Sequence, residues 1–130
     1  MNGEIFILKG ADQLLGLKQQ QYDSEDLLQD LLARYPNLLA GDQMDSENPR
    51  RWLLISREAP VAHGEWKEGL WYADHLFLDQ DTVPTLIEVK RGDNPDLRRK
   101  VVGQLLDYAA NAILNWSIEE VIAMFEGNCI

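Results

Sequence analysis

Apolar and polar positions change period several times along the chain, and three segments carry the clearest signals. Leu27, Leu28, Leu31 and Leu32 recur at helical intervals. Asp23 and Ser24 precede them as N-cap candidates, Glu25 and Asp26 sit where a helix dipole favours acids, and Pro36 follows. The spacing predicts a helix over about Ser24–Tyr35. Further on, Trp71–Leu78 and Thr85–Arg91 read as two strands separated by Asp79–Pro84. After them, Asp93 or Asn94 can cap a long helix with Pro95 in its first turn. Its apolar stripe, Leu97, Val101, Leu105, Ala109 and Ala112, carries it to about Leu114.

The remaining segments are less marked. Glu4–Leu8 and Leu14–Lys18, around Gly10 and Asp12, read as a short hairpin. Gly41–Arg50 is polar enough for a loop, Trp52–Arg57 suits a strand, and Glu58–Gly69 reads as a second loop. Ser117 is placed to cap a last helix over Ile118–Phe125. There is no internal repeat, low-complexity tract or linker, so residues 1–130 are expected to form one α/β domain.

The two central strands have a testable register. If they pair symmetrically about Asp81, Leu76 faces Leu86, and Asp74 lies across from Glu88. Lys90 then shares that face, while His75, Phe77, Ile87 and Val89 occupy the other. Both faces are largely apolar, as in a sheet covered on two sides, and Asp74, Glu88 and Lys90 are charged exceptions within it. Two carboxylates at cross-strand distance repel unless a cation or proton intervenes. A hard ion such as Mg²⁺ binds through one or two carboxylates, and the Val89 carbonyl is a candidate third ligand. Lys90 is placed to orient or activate a water, or to stabilise charge developing on a phosphate. On the long helix, Gln104 and Tyr108 lie four apart on one face with Lys100, within reach of these acids or of a nucleic-acid backbone. His75 faces away from Asp74 and reads as a packed residue, and His63 falls in the second loop. Trp66, Trp71 and Tyr72 read as sheet anchors that are also able to stack on bases.

Composition narrows the function classes. Of 130 residues, 45% are apolar and 26% charged, an ordinary balance for a globular chain. No apolar run reaches the ~18 residues of a membrane span, and the N-terminus has no secretion-signal pattern, so a cytoplasmic protein without a membrane partner is expected. The single cysteine, Cys129, excludes an internal disulfide. With 12 Lys+Arg against 22 Asp+Glu, the net charge of −10 argues against a protein that coats nucleic acid non-specifically. It leaves room for an enzyme with one local phosphate grip: Lys90, Arg91, Arg98, Arg99 and Lys100 cluster within a short stretch.

Asp74, then Glu88-Val89-Lys90, then Gln104-Leu105-Leu106-Asp107-Tyr108 resembles the PD-(D/E)XK, or restriction-endonuclease-like, nuclease superfamily. The Q-x-x-x-Y element is similar to that of its RecB-type branch. The segments EDLLQDLLARYPNLL, WYADHLFLD, LIEVKRGDN and RRKVVGQLLDYAAN look like bacterial members with no assigned activity. The resemblance covers roughly Glu25–Asn115. It implies an α-β-β-β-α core with a central mixed sheet flanked by helices, here preceded by the short N-terminal hairpin. It also implies metal-dependent phosphodiester cleavage, in DNA more often than RNA, with Mg²⁺ or Mn²⁺ as cofactor. Asp74, Glu88 and Lys90 would be catalytic, with Asp74, Glu88 and the Val89 carbonyl on the metal. Glu25 matches the acid that the first core helix often adds to the metal. Gln104 and Tyr108 would be supporting residues, and Arg91, Arg98, Arg99 and Lys100 would meet nucleic acid.

Two departures stand out. Ala73 replaces the proline before the first acid. A final core strand should follow the long helix, where Trp116–Gly127 instead reads as helical. Either the native protein extends beyond Ile130, or the topology differs. Alternative readings are a non-catalytic nucleic-acid-binding module that keeps the fold, and a dimerising domain whose partner covers the unpaired sheet edge.

Overall fold

A computed structural model describes residues 4–21, 23–64, 69–93 and 100–129. Strands β1 (Ile5–Lys9) and β2 (Gln13–Leu17) form an antiparallel hairpin whose turn begins at Gly10, with φ 72°. That left-handed backbone suits a residue without a Cβ. Helix α1 (Glu25–Arg34) starts where Ser24 accepts the Leu27 N–H. It leads through a 3₁₀ turn (Pro36–Leu38) to the one-turn α2 (Gly41–Met44). Gly41 is buried there, and a Cβ would collide with the Arg50 carbonyl oxygen. Strands β3 (Trp52–His63), β4 (Gly69–Asp79) and β5 (Pro84–Ile87) follow, then α3 (Lys100–Asn115) and α4 (Ile118–Asn128).

The architecture is mixed α and β: a two-stranded sheet, and a three-stranded sheet ordered β3-β4-β5. All described pairs are antiparallel, so the mixed sheet expected from sequence has no parallel strand among the described residues. Leu76 pairs with Leu86 and Phe77 with Thr85, the register that symmetry about Asp81 predicts. Helix α1 covers the face bearing His75 and Phe77, whose rings stack and are fully buried. The other face carries the apolar core. Ala73 and Val61 pack with Tyr108 and Ala112 of α3, and Ile55, Ala59 and Leu76 pack beneath Trp116, Val121 and Phe125.

Four features differ from the sequence reading. The expected loop Glu58–Gly69 is strand as far as His63, because β3 is an edge strand and tolerates Pro60. The second central strand stops at Ile87 rather than Arg91. The expected loop Gly41–Arg50 contains α2, and α4 runs past Phe125 to Asn128 on a Ser117–Glu120 capping box. The expected start of the long helix, with Asn94, Pro95 and Leu97, lies outside the described residues. No strand follows α3 among the described residues, and no helix is long and apolar enough to cross a membrane.

Candidate active site

The site forms where β4 loses its regular alternation. Ala73 and Leu76 both contact the core beneath α3 and α4, so the inward face switches parity between them, at Asp74 and His75. The β3 register sets Glu58 opposite Asp74, and Glu58 adopts φ 47°, a left-handed conformation unusual for a non-glycine residue. Pairing stays one-to-one across Glu58, from Arg57 with His75 to Ala59 with Ala73, so the distortion is a local kink, and the register shift of β3 lies further back, between Leu54 and Ser56. On the β5 side, backbone pairing ends at Ile87, and the Asp74 carboxylate spans the gap by accepting the Val89 N–H at 2.7 Å.

Glu88 is the most confined charge in this region, with its side chain 3% exposed. Its Oε1 accepts from Lys90 Nζ at 2.7 Å and from Gln104 Nε2 at 3.2 Å. Its Oε2 is buried and has no hydrogen-bond partner. Gln104 also donates to the Tyr108 hydroxyl at 2.6 Å, so the helix presents a small relay that holds one side of the carboxylate. Burial alone would lower the Lys90 pKa. The hydrogen bond to Glu88 and the charges of Glu88, Asp74 and Glu25 outweigh it and hold that pKa above the ordinary lysine value. Lys90 is therefore an ammonium at neutral pH.

Asp74, Glu88, Lys90, Gln104 and Tyr108, singled out from sequence, thus meet at one end of the sheet. Glu25 reaches the same end, but its Oε1 accepts the Arg91 N–H at 2.9 Å. Among the described residues, no three His, Cys, Asp or Glu side chains converge as a ligand set, so the three-acid metal site expected from Glu25, Asp74 and Glu88 is not assembled. Arg91 is paired with Asp93 through two hydrogen bonds of 3.1 and 2.9 Å. Lys100 is exposed and lines an open groove with Trp71, Gln104 and Tyr108. Arg98, Arg99 and Trp66 lie outside the described residues.

Other placements were not legible in advance. His63 ends β3 and stacks on Trp71, with ring centroids 4.5 Å apart, so it belongs to the strand rather than to a loop. Trp71 in turn leans on Tyr108, with ring centroids 5.7 Å apart, as a sheet anchor. Glu58 carried no local signal beyond a neighbouring proline that pointed to a loop. His75 is fully buried, and its Nε2 lies 2.9 Å from the Gln29 carbonyl oxygen.

A single carboxylate pair suits a divalent ion that keeps most of its shell for water and substrate. The buried, partnerless Glu88 Oε2 fits that demand, and Asp74, held on the Val89 N–H, is the second carboxylate beside it. No family model, no curated protein and no solved structure matches the chain.

Proposed function

We propose that the chain is a metal-dependent nuclease, or the catalytic part of one, that hydrolyses phosphodiester bonds, with DNA the favoured substrate. The carrying observation is the Glu88 carboxylate, buried with one oxygen held by Lys90 and Gln104 and the other without a protein partner. A buried charge costs several kcal/mol unless it is paired, and an unsatisfied buried oxygen calls for an explanation. A cation shared with Asp74 supplies one. The order α1–β3–β4–β5–α3 supports reading the fold as the α-β-β-β-α core that the motif resemblance implies.

In this reading Asp74 and Glu88 hold Mg²⁺ or Mn²⁺, with the Val89 carbonyl as a further donor. The ion, when bound, polarises a phosphoryl oxygen and acidifies a water. Lys90, kept protonated by its acidic neighbours, cannot accept a proton at neutral pH. It can donate to a phosphate oxygen and offset charge that builds on it. Gln104 and Tyr108 are positioning residues: their hydrogen bonds fix one Glu88 oxygen and so aim the other. Lys100 and Arg91 flank the site as phosphate contacts.

The test is cleavage of plasmid, single-stranded DNA and RNA in Mg²⁺ or Mn²⁺. Activity is expected to fall at least ~100-fold in Asp74→Ala, Glu88→Ala and Lys90→Ala, each checked for a retained melting transition. Equal activity in wild type and all three variants would sink the proposal. Metal-independent binding that Asp74→Ala leaves intact, without cleavage by wild type, would favour a non-catalytic module.

A further inference from the structure

The β1–β2 hairpin is apolar on both faces and exposed at every position. Ile5 and Ile7 pair with Leu17 and Leu15 on one face. Phe6, Leu8 and Leu14 lie on the other. These seven side chains are 43–64% exposed. A hairpin that packed on a globular body would need one apolar face. Two apolar faces are the mark of strands that continue a sheet covered by helices on both sides. Alone in water such a hairpin is marginal at best.

The rest of the chain offers a matching vacancy in its sheet. Among the described residues nothing pairs with the outer edge of β5. Beside that edge lies an apolar cleft of about 460 Å³, lined by Pro84, Leu86, Ala109, Ile113, Trp116 and Ile118. Ile113 is 83% exposed and Ile118 65%. Exposed, contiguous apolar surface next to a bare strand edge is what a sheet normally covers.

We infer that the hairpin of one chain adds to the β5 edge of a second copy, and that the exchange is reciprocal, giving a two-fold dimer. The areas agree. Each hairpin's apolar side chains expose on the order of 700 Å², near the ~800 Å² that each partner gives a standard interface. The cleft covers one of the two faces, about half of that area, so two exchanged hairpins, counted with the surfaces they cover, bury an area of about standard size. Charge agrees as well. Residues 4–18 hold two acids, Glu4 and Asp12, and two bases, Lys9 and Lys18, while the whole chain carries −10. The neutral hairpin is a part of this acidic chain that can enter another copy without repulsion. Backbone pairing along β5 supplies the affinity, and the cleft takes up one of the two apolar faces. The inference is independent of the nuclease reading.

The full-length chain is expected to run by light scattering as a dimer at micromolar concentration. Ile7→Lys with Leu15→Lys on the hairpin, or Ile113→Lys with Ile118→Lys in the cleft, should each weaken dimerisation at least ~100-fold. The cleft pair is exposed, so this variant keeps the fold, verified by its melting transition, even where the hairpin variant does not. In a Cys129→Ser background, a Leu15→Cys chain mixed with an Ile113→Cys chain should oxidise to a covalent heterodimer. A monomeric wild type, or a dimer that survives the cleft variant, overturns the inference. So does a chain carrying both cysteines that closes only on itself.

Discussion

His75 shows how much a single placement decides. A carbonyl can only accept, so the contact with Gln29 requires the proton on Nε2 and leaves the buried Nδ1 bare and without a partner. Burial lowers the His75 pKa, Arg57 adds to that, and the Gln29 contact and the Asp74 and Glu88 charges oppose it without reversing it. The folded state therefore resists a proton that the unfolded chain accepts. Above the ordinary histidine value both states are neutral and stability is flat. As pH falls below ~6.5 the unfolded state binds more protons, and stability drops by up to about 1.4 kcal/mol per pH unit. Urea unfolding of wild type at pH 7.5, 6.5 and 5.5 should show this decline, and His75→Gln should flatten it even if its overall stability is lower. Parallel slopes would assign the decline elsewhere. The packed role of His75 was readable from alternation alone, because a strand places every second residue on the same face. His63 was not readable, since its role depends on stacking against Trp71, a contact across strands that no local pattern encodes.

Among the elements, β3 matters most to the site, and it is the one whose length sequence reading underestimated most. Glu58–Gly69 reads as a loop from sequence, yet β3 runs to His63, because an edge strand needs no inter-strand N–H on its open side and so accommodates Pro60. The same strand hides the kink at Glu58, whose left-handed backbone sits across from Asp74. Glu58→Val, favourable by strand propensity, should nevertheless cost about 1 kcal/mol or more, because a β-branched residue resists positive φ. Glu58→Gly should cost little or nothing at the same position. Denaturant midpoints of the two variants distinguish the cases, and a Val variant as stable as the Gly variant would show that the strain is absent in solution. By contrast, the pairing of β4 with β5 was legible, because Leu76 and Leu86 on one face leave a single sensible register. Legibility ended at Ile87. There a side chain, Asp74, takes over the backbone's partner, and strand periodicity says nothing about such an exchange.

On the proposed nuclease reading, the molecule as a whole sets a limit on how it would hold nucleic acid. A net charge of −10 repels a polyanion, and the described cations near the site are few. Lys90 is turned to Glu88, and Arg91 is paired with Asp93. Lys100 projects beside the groove of Trp71 and Tyr108. Binding through two to four phosphate contacts gives a log–log salt slope of about −2 to −4 for duplex DNA, far shallower than for proteins with a basic face. Screening also weakens the repulsion between DNA and the acidic body, which flattens the slope further. Fluorescence anisotropy with the Asp74→Ala variant, in which binding is separated from cutting, should give that shallow slope. Lys100→Ala in the same background should reduce it by about one phosphate. Arg91→Ala should change it by well under one phosphate, because Asp93 already neutralises that guanidinium. A slope near −6 or steeper would place the binding surface on cations other than these, and the open groove beside Glu88 would then not be the path of the strand.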